Sequence, residues 1–373
     1  MLTETAPETM LRKSEGPLLK GIDYIEFYVG NPLQSAYFYR SLFGFKMTAQ
    51  AGLETGVRDR TSWLVESNKV RLVLTGALSA DSPIAEHVRV HGDGIKDIAF
   101  IVDDAVQAFE LAVRQGARPV LEPELREDDN GLLLKATVAV YGDTVHSFVE
   151  RRAYRDAFMP GFQEFKQISA DDSLGIQRID HVAFNVEQGT LDRWIEFYQE
   201  VLNFEEVHRE SVSTGVSAMN SKVVGNSERN ILFPIVEPAP AKKRSQIDEY
   251  LSYHNGSGVQ HIALYSDNIV ETVRCLRARG IEFLRTPNTY YDMLEDRVGK
   301  IEPDLLKAIQ EQNILVDRDE WGSLMQIFSK PVQGRPTFFL EVIQRNGART
   351  FGGGNIKALF EAVEREQAMR GNV

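Results

Sequence analysis

The chain has 373 residues, of which 26% are charged and 43% hydrophobic, a globular balance long enough for two domains with their own cores. Its formal net charge of −12 excludes a nucleic-acid backbone as the main partner, because phosphate binding needs an excess of Lys and Arg; a small anion held beside a metal ion stays open. One cysteine, Cys275, excludes an intrachain disulfide framework. No apolar run reaches the roughly 18 residues of a membrane span, and "MLTETAPETMLRKSEGP" lacks a secretory apolar stretch, so no membrane partner and a cytoplasmic location are expected.

Residues 1–17 show no periodicity and are expected to form a flexible N-terminus. "GIDYIEFYVGNPLQSAYFYRSLFGF" (21–45) reads as an alternating strand followed by an aromatic-rich amphipathic helix. "GDGIKDIAFIVDDAVQAFELAVRQGA" (92–117) opens with Gly-x-Gly, passes through a strand and enters a helix ended by Gly, and "VHSFVERR" closes a first domain of residues 18–152. Residues 153–176, with Pro160, Gly161 and an acidic polar stretch, read as a linker. The second domain, 177–373, repeats the first. "RIDHVAFNVEQGTLDRWIEFYQEVLNF" (178–204) parallels 21–45, "GSGVQHIALYSDNIVETVRCLRARGI" (256–281) parallels 92–117, and "FLEVIQR" matches "VHSFVERR". Cys275 shares a helical pattern with Ile269, Val273 and Leu276 and reads as a core or boundary thiol. Residues 288–323 form an insertion with a charged helix around "PDLLKAIQEQ". Ile356, Leu359, Phe360 and Val363 recur at helical spacing, so residues 355–369 are expected to form an amphipathic helix. Gly352, Gly353 and Gly354 before it permit hinge-like angles, and the helix reads equally as a mobile lid or as a fixture.

Three strands of the second domain each offer one metal-type ligand: His181, His261 and Glu341, spaced 80 and 80 residues apart. Only a fold that sets distant strands side by side can converge them. Two imidazoles and a carboxylate, with other positions open, are the ligand set of non-haem Fe(II) oxygenases. At the same three points the first domain has Tyr24, Asp97 and Ser147. A single strand histidine is ordinary core; three such residues in register on one copy alone point to a metal. His87, His91, His146, His208 and His254 fall outside this register and read as surface or packing residues.

"IDHVAFNV", "KKRSQIDEYL", "GVQHIAL", "TPNTYYDML", "LMQIFSKPVQGRPTFFLEVIQR" and "FGGGNIKALFEAVEREQ" occur in order. Through them the chain, from about residue 18, closely resembles the 4-hydroxyphenylpyruvate dioxygenase and 4-hydroxymandelate synthase family. The resemblance implies an α+β fold of two vicinal-oxygen-chelate (glyoxalase/bleomycin-resistance-like) domains, each of two βαβββ modules forming an open barrel. It implies Fe(II) in the second barrel only, held by His181, His261 and Glu341. The substrate would be an arylpyruvate whose own keto acid chelates the metal, with O2 as co-substrate and no 2-oxoglutarate. In the pocket the resemblance places Ser221, Gln246, Gln260 and Gln326 as polar contacts, Phe328, Phe339 and Phe351 as apolar wall, and Val236, Asn355 and Ile356 near the ring. It leaves homo-oligomer formation open.

The chain departs from the common dioxygenase pattern at two of these places. Most dioxygenases of the family read Pro-Ile-Asn-Glu-Pro where this chain has Val236 in place of Asn, and Gly-Asn-Phe where it has Ile356 in place of Phe. "SAMNSKVV" and Phe184-Asn185, in place of the usual Gly-Asn, also resemble the synthases. A lost polar anchor and a lost flat wall should shift the ring, and shifts of about 1 Å change rates by roughly a hundredfold. The expected product is therefore 4-hydroxymandelate, by benzylic attack, with homogentisate, by ring attack, as the alternative. Val236 also admits a less polar arylpyruvate such as phenylpyruvate. More remote readings are an extradiol dioxygenase and a non-catalytic binding protein of the same fold.

Overall fold

Alternation along β1 (Gly21–Tyr28) buries Ile25 and Phe27 in a core on one face and turns Tyr24, Glu26 and Tyr28 into a barrel on the other. The same pattern governs both halves of the computed structural model, which describes residues 16–151, 154–155, 158–166 and 174–371. Most of the expected flexible N-terminus, residues 1–15, lies outside the described residues.

The first half continues with β2 (Lys46–Ala51), β3 (Arg60–Ser67), β4 (Val70–Ala77), β5 (Gly94–Ile101), β6 (Pro119–Asp128), β7 (Gly131–Ala139), β8 (Val145–Glu150) and β9 (Gln163–Glu164). The second holds β10 (Ile176–Asn185), β11 (Glu205–Ser213), β12 (Ala218–Gly225), β13 (Leu232–Pro238), β14 (Gly258–Ser266), β15 (Leu315–Arg318), β16 (Ser323–Phe328) and β17 (Phe339–Asn346). The sheets run β6-β7-β8-β5-β1-β4-β3-β2-β9 and β11-β12-β13-β10-β14-β17-β16-β15. Apart from the short β9 they are the same arrangement, four βαβββ modules in all. The register agrees residue by residue: Tyr24 pairs with Ala99 and Ala99 with Ser147, as His181 pairs with Ala263 and Ala263 with Glu341.

Local signals set the helices. Asn31 caps the helix Pro32–Phe43 by accepting from Gln34 N, proline occupies its first turn, and Gly44 ends it at φ 71°. Its counterpart Leu191–Leu202 ends on Asn203 at φ 56°. These helices and the outer sheet faces share one apolar core across the halves. Phe27 meets Phe338 at 5.2 Å, Phe100 meets Phe233 at 6.1 Å and Tyr141 meets Phe184 at 4.6 Å between ring centres. Each such buried ring contributes about 1.5–3 kcal/mol of burial, so the halves are fixed to one another.

Within the span read as a linker, Phe158 and Met159 are buried against the first barrel, Phe165 packs edge-on to Trp63 at 5.0 Å, and β9 pairs with β2; residues 167–173 lie outside the described residues. The insertion holds the expected helix at Pro303–Gln312, two short helices, Asn288–Asp292 and Leu294–Val298, and β15. The C-terminal helix runs Gly353–Arg370 with Asn355, Phe360 and Gln367 fully buried, a docked arrangement. No helix among the described residues is long and apolar enough to cross a membrane.

Candidate metal centre and pocket

His181, His261 and Glu341 stand on β10, β14 and β17, three neighbouring strands, and all point into the second barrel. Glu341 Oε2 lies 3.2 Å from His181 Nε2 and 3.3 Å from His261 Nε2, and the two imidazole nitrogens are 3.4 Å apart. The outer nitrogens fix the tautomers. His181 Nδ1 donates to Asp180 Oδ1 at 2.9 Å and His261 Nδ1 to Gln260 Oε1 at 3.0 Å, so both Nε2 atoms turn lone pairs towards the carboxylate. Three buried electron-pair donors this close need a cation among them. Bonds of about 2.0–2.2 Å at right angles give donor separations of about 3 Å, so the set fits a divalent transition-metal ion on one face. Burial would lower His181, but the charges of Glu341 and Asp180 outweigh it and push it up to about 9, so the place of that cation is one that a proton on His181 Nε2 or a metal ion can take. Burial would raise Glu341, but the imidazoles beside it hold it at about 2.

Two networks hold the ligands in place. Asp180 is 5% exposed and accepts Arg345 Nε at 2.9 Å and Nη2 at 2.8 Å, while Arg345 Nη1 donates to Thr350 O at 2.6 Å. That ties His181 to the loop before the C-terminal helix. Gln326 Nε2 donates to Glu341 Oε1 at 2.9 Å, and Gln326 Oε1 accepts from Asn355 Nδ2 at 2.9 Å. Asn355 Oδ1 in turn lies 2.8 Å from Tyr290 OH. Such outer partners orient ligands and tune the metal.

The pocket over the triad is lined by Ser221, Val236, Gln246, Gln260, Gln326, Phe328, Phe351 and Ile356 among others. Phe339 lies behind it, stacked on His261 at 4.9 Å, and Phe351 stands edge-on to His181 at 5.1 Å. Asn355, expected near the ring, is fully buried outside the pocket and acts through Gln326. Phe184 belongs to the shared core rather than to the pocket. His208 and Glu210, on β11, line the pocket, which the reading of His208 as a surface or packing residue missed. The other four non-triad histidines are buried packing residues.

The more spacious cavity, about 610 Å³, lies in the first barrel, but volume does not make it reactive. Its triad positions are tied to one another: Ser147 Oγ donates to Asp97 Oδ2 at 2.6 Å, and Lys135 Nζ, on β7, donates to the same oxygen at 3.0 Å and to Tyr24 OH at 2.7 Å. Lys135 supplies there the positive charge that a metal ion would supply among the three candidate ligands of the second barrel. The described residues include one further convergent group, His87, His91 and Asp143. Lys96 Nζ stands 3.5 Å from the same Asp143 oxygen that faces both histidines, so a cation is already supplied.

The model of the Glyoxalase/Bleomycin resistance protein/Dioxygenase superfamily matches residues 21–133 and 178–297. A 4-hydroxyphenylpyruvate dioxygenase of Yarrowia lipolytica is 42% identical over 369 residues, covering 95% of this chain and 94% of its own. One of Danio rerio is 44% identical over 363 residues, covering 94% and 91%. Among solved structures, a triple mutant of 4-hydroxymandelate synthase from Streptomyces coelicolor superposes with a TM-score of 0.86 at 39% identity, over 94% of this chain and 99% of the other.

Proposed function

The chain belongs to the 4-hydroxyphenylpyruvate dioxygenase family within the glyoxalase/bleomycin resistance protein/dioxygenase superfamily, and from that premise we propose that it oxidatively decarboxylates and hydroxylates 4-hydroxyphenylpyruvate with Fe(II) and O2, without 2-oxoglutarate. The observation that carries the reading is the convergence of His181 Nε2, His261 Nε2 and Glu341 Oε2 beneath a largely apolar pocket. When bound by these three residues, Fe(II) supplies the activation of O2. The chain's own residues do the rest. Gln260 and Asp180 hold the imidazoles as Nε2 donors, Gln326 fixes Glu341, and Phe328, Phe351, Ile356 and Leu359 exclude water and confine the aryl ring.

The expected preference for 4-hydroxymandelate gives way to homogentisate and CO2 as the leading product, because the relatives at 42% and 44% identity carry the dioxygenase name. A specific observation keeps mandelate as the second reading: Val236 and Ile356 both line the pocket, where an Asn and a Phe would be a polar anchor and a flat wall. Incubation with 4-hydroxyphenylpyruvate, Fe(II) and O2, with CO2 and aromatic products quantified, tests both. Absence of CO2 release would overturn the function, and mandelate as the dominant aromatic product would replace homogentisate. Glu341→Ala should abolish turnover.

A further inference from the structure

His208 and Glu210 sit in the same pocket as the triad but belong to no part of the ligand network. His208 Nε2 and Glu210 Oε2 are each buried without a hydrogen-bond partner among the described residues, and lie 3.7 Å apart. That is too far for a hydrogen bond between them. An oxygen set about 2.8 Å from both would satisfy the two at once. Leaving both atoms without a hydrogen bond on burial is costly.

Sheet register shows what that oxygen belongs to. Glu210 pairs with Ser221 across β11–β12, and Ser221 pairs with Val236 across β12–β13. The three side chains form one row on the pocket wall. One row along, His208 pairs with Val223 and Val223 with Pro234, and all three also line the pocket. Val236 leaves the β13 end of the first row apolar, while Glu210 makes its β11 end polar, with Ser221 between. Gly353 belongs to the arrangement, since a Cβ there would overlap Glu210 Oε1. The carboxylate is thus packed beneath the start of the C-terminal helix.

Resting on the arylpyruvate reading above, we infer that His208 and Glu210 determine specificity by binding a hydroxyl on the substrate's ring. The hydroxyl donates its proton to Glu210 Oε2 and accepts from His208 Nε2–H, and Ser221 Oγ lies alongside on the same row. This sets the anchor two strands away from β13, so the ring leans towards β11 and Phe351, whose centre is 6.0 Å from that of His208.

The test uses the full chain loaded with Fe(II) under strict exclusion of O2, so that binding is read without turnover. Calorimetric titration compares 4-hydroxyphenylpyruvate with phenylpyruvate. Wild type should bind the hydroxylated acid at least about tenfold more tightly. Glu210→Gln and His208→Phe should each cut that preference to about twofold or less, with phenylpyruvate affinity little changed, and with iron content confirming a folded second barrel. Adding Val236→Asn to Glu210→Gln should restore the preference, which loss of structure alone would not allow. Full preference in both variants, or equal loss of both ligands, overturns the inference. Equal binding of the two acids by wild type overturns it while leaving the arylpyruvate reading intact; failure of either acid to bind overturns both.

Discussion

Gln326 Nε2 donates to Glu341 Oε1 at 2.9 Å, which leaves Oε2 as the carboxylate oxygen facing both imidazoles. A free carboxylate could rotate and offer either oxygen, or both. Gln326→Leu should therefore weaken divalent metal binding by about 10–100-fold, with the fold retained because leucine fills a similar volume. Competition with a chelator of known affinity measures it, and unchanged affinity would show that Glu341 is oriented by packing alone.

Asp180 and Arg345 form a buried, bidentate pair whose Arg side chain is only 11% exposed. Arg345→Met should cost about 3–5 kcal/mol, because it removes the bidentate partner of a buried carboxylate and leaves Asp180 only His181 Nδ1 and the more distant Arg178. The double variant Asp180→Asn with Arg345→Met should be more stable than Arg345→Met alone. Urea unfolding of the three proteins checks the order. A double variant no better than the single one would mean that the Arg345 bonds to Thr350 O and Ala348 O carry the stability instead.

His146 joins the halves: its Nδ1 lies 3.2 Å from Ile98 O and its Nε2 2.8 Å from Tyr198 OH. The neutral ring suits both, with Nδ1–H donating and Nε2 accepting the Tyr198 proton. Burial depresses its pKa to about 4, against the pull of Asp97 and Ile98 O. The unfolded chain therefore takes up this proton first. Stability should fall as pH drops from about 6.5 to about 4, by up to about 1.4 kcal/mol per pH unit for this group. His254, held at about 3 mainly by burial, steepens the same limb. In denaturant series between pH 7 and 4.5, His146→Gln should show a shallower loss than wild type.

Val236, on β13, and Ile356, on the C-terminal helix, both line the pocket and pack into one apolar cluster with Ile247 and Phe360. The pair Val236→Asn with Ile356→Phe should move the ratio of homogentisate to mandelate towards homogentisate by about tenfold, the equivalent of about 1.4 kcal/mol between two barriers. Chromatography of the aromatic products reads this directly. A ratio that stays fixed would free these two positions from any control of where oxygen is delivered.

The triad was legible in the sequence because strand periodicity and an internal repeat together fix facing. Once 178–204 is laid over 21–45, 256–281 over 92–117 and "FLEVIQR" over "VHSFVERR", His181, His261 and Glu341 fall at the points held by Tyr24, Asp97 and Ser147. The barrels, the C-terminal helix and most of the pocket followed from the same comparison and the family resemblance. Other parts were not readable. Asp180 in "RIDH" looks like any polar strand-start residue, and its partner Arg345 is 165 positions away. Asn355 reads as a ring contact because it precedes Ile356, yet a helix turns successive side chains about 100° apart, which sends one into the pocket and the other to Gln326. His208 and Glu210 stand on β11, whose residues are mostly exposed or half-buried. Along such an edge strand a polar side chain looks solvated until the C-terminal helix is seen to roof one stretch of it.

Lys135 gives the first barrel a counter-ion attached by covalent bonds to the chain itself. A chelator would strip a metal ion from the second barrel and leave Lys135 in place in the first. Metal starvation should therefore loosen the molecule unevenly, with amide exchange rising along β10, β14 and β17 while β1, β5 and β8 keep their protection. The first half would then act as a template, keeping its twin in shape through each cycle of metal loss and reloading.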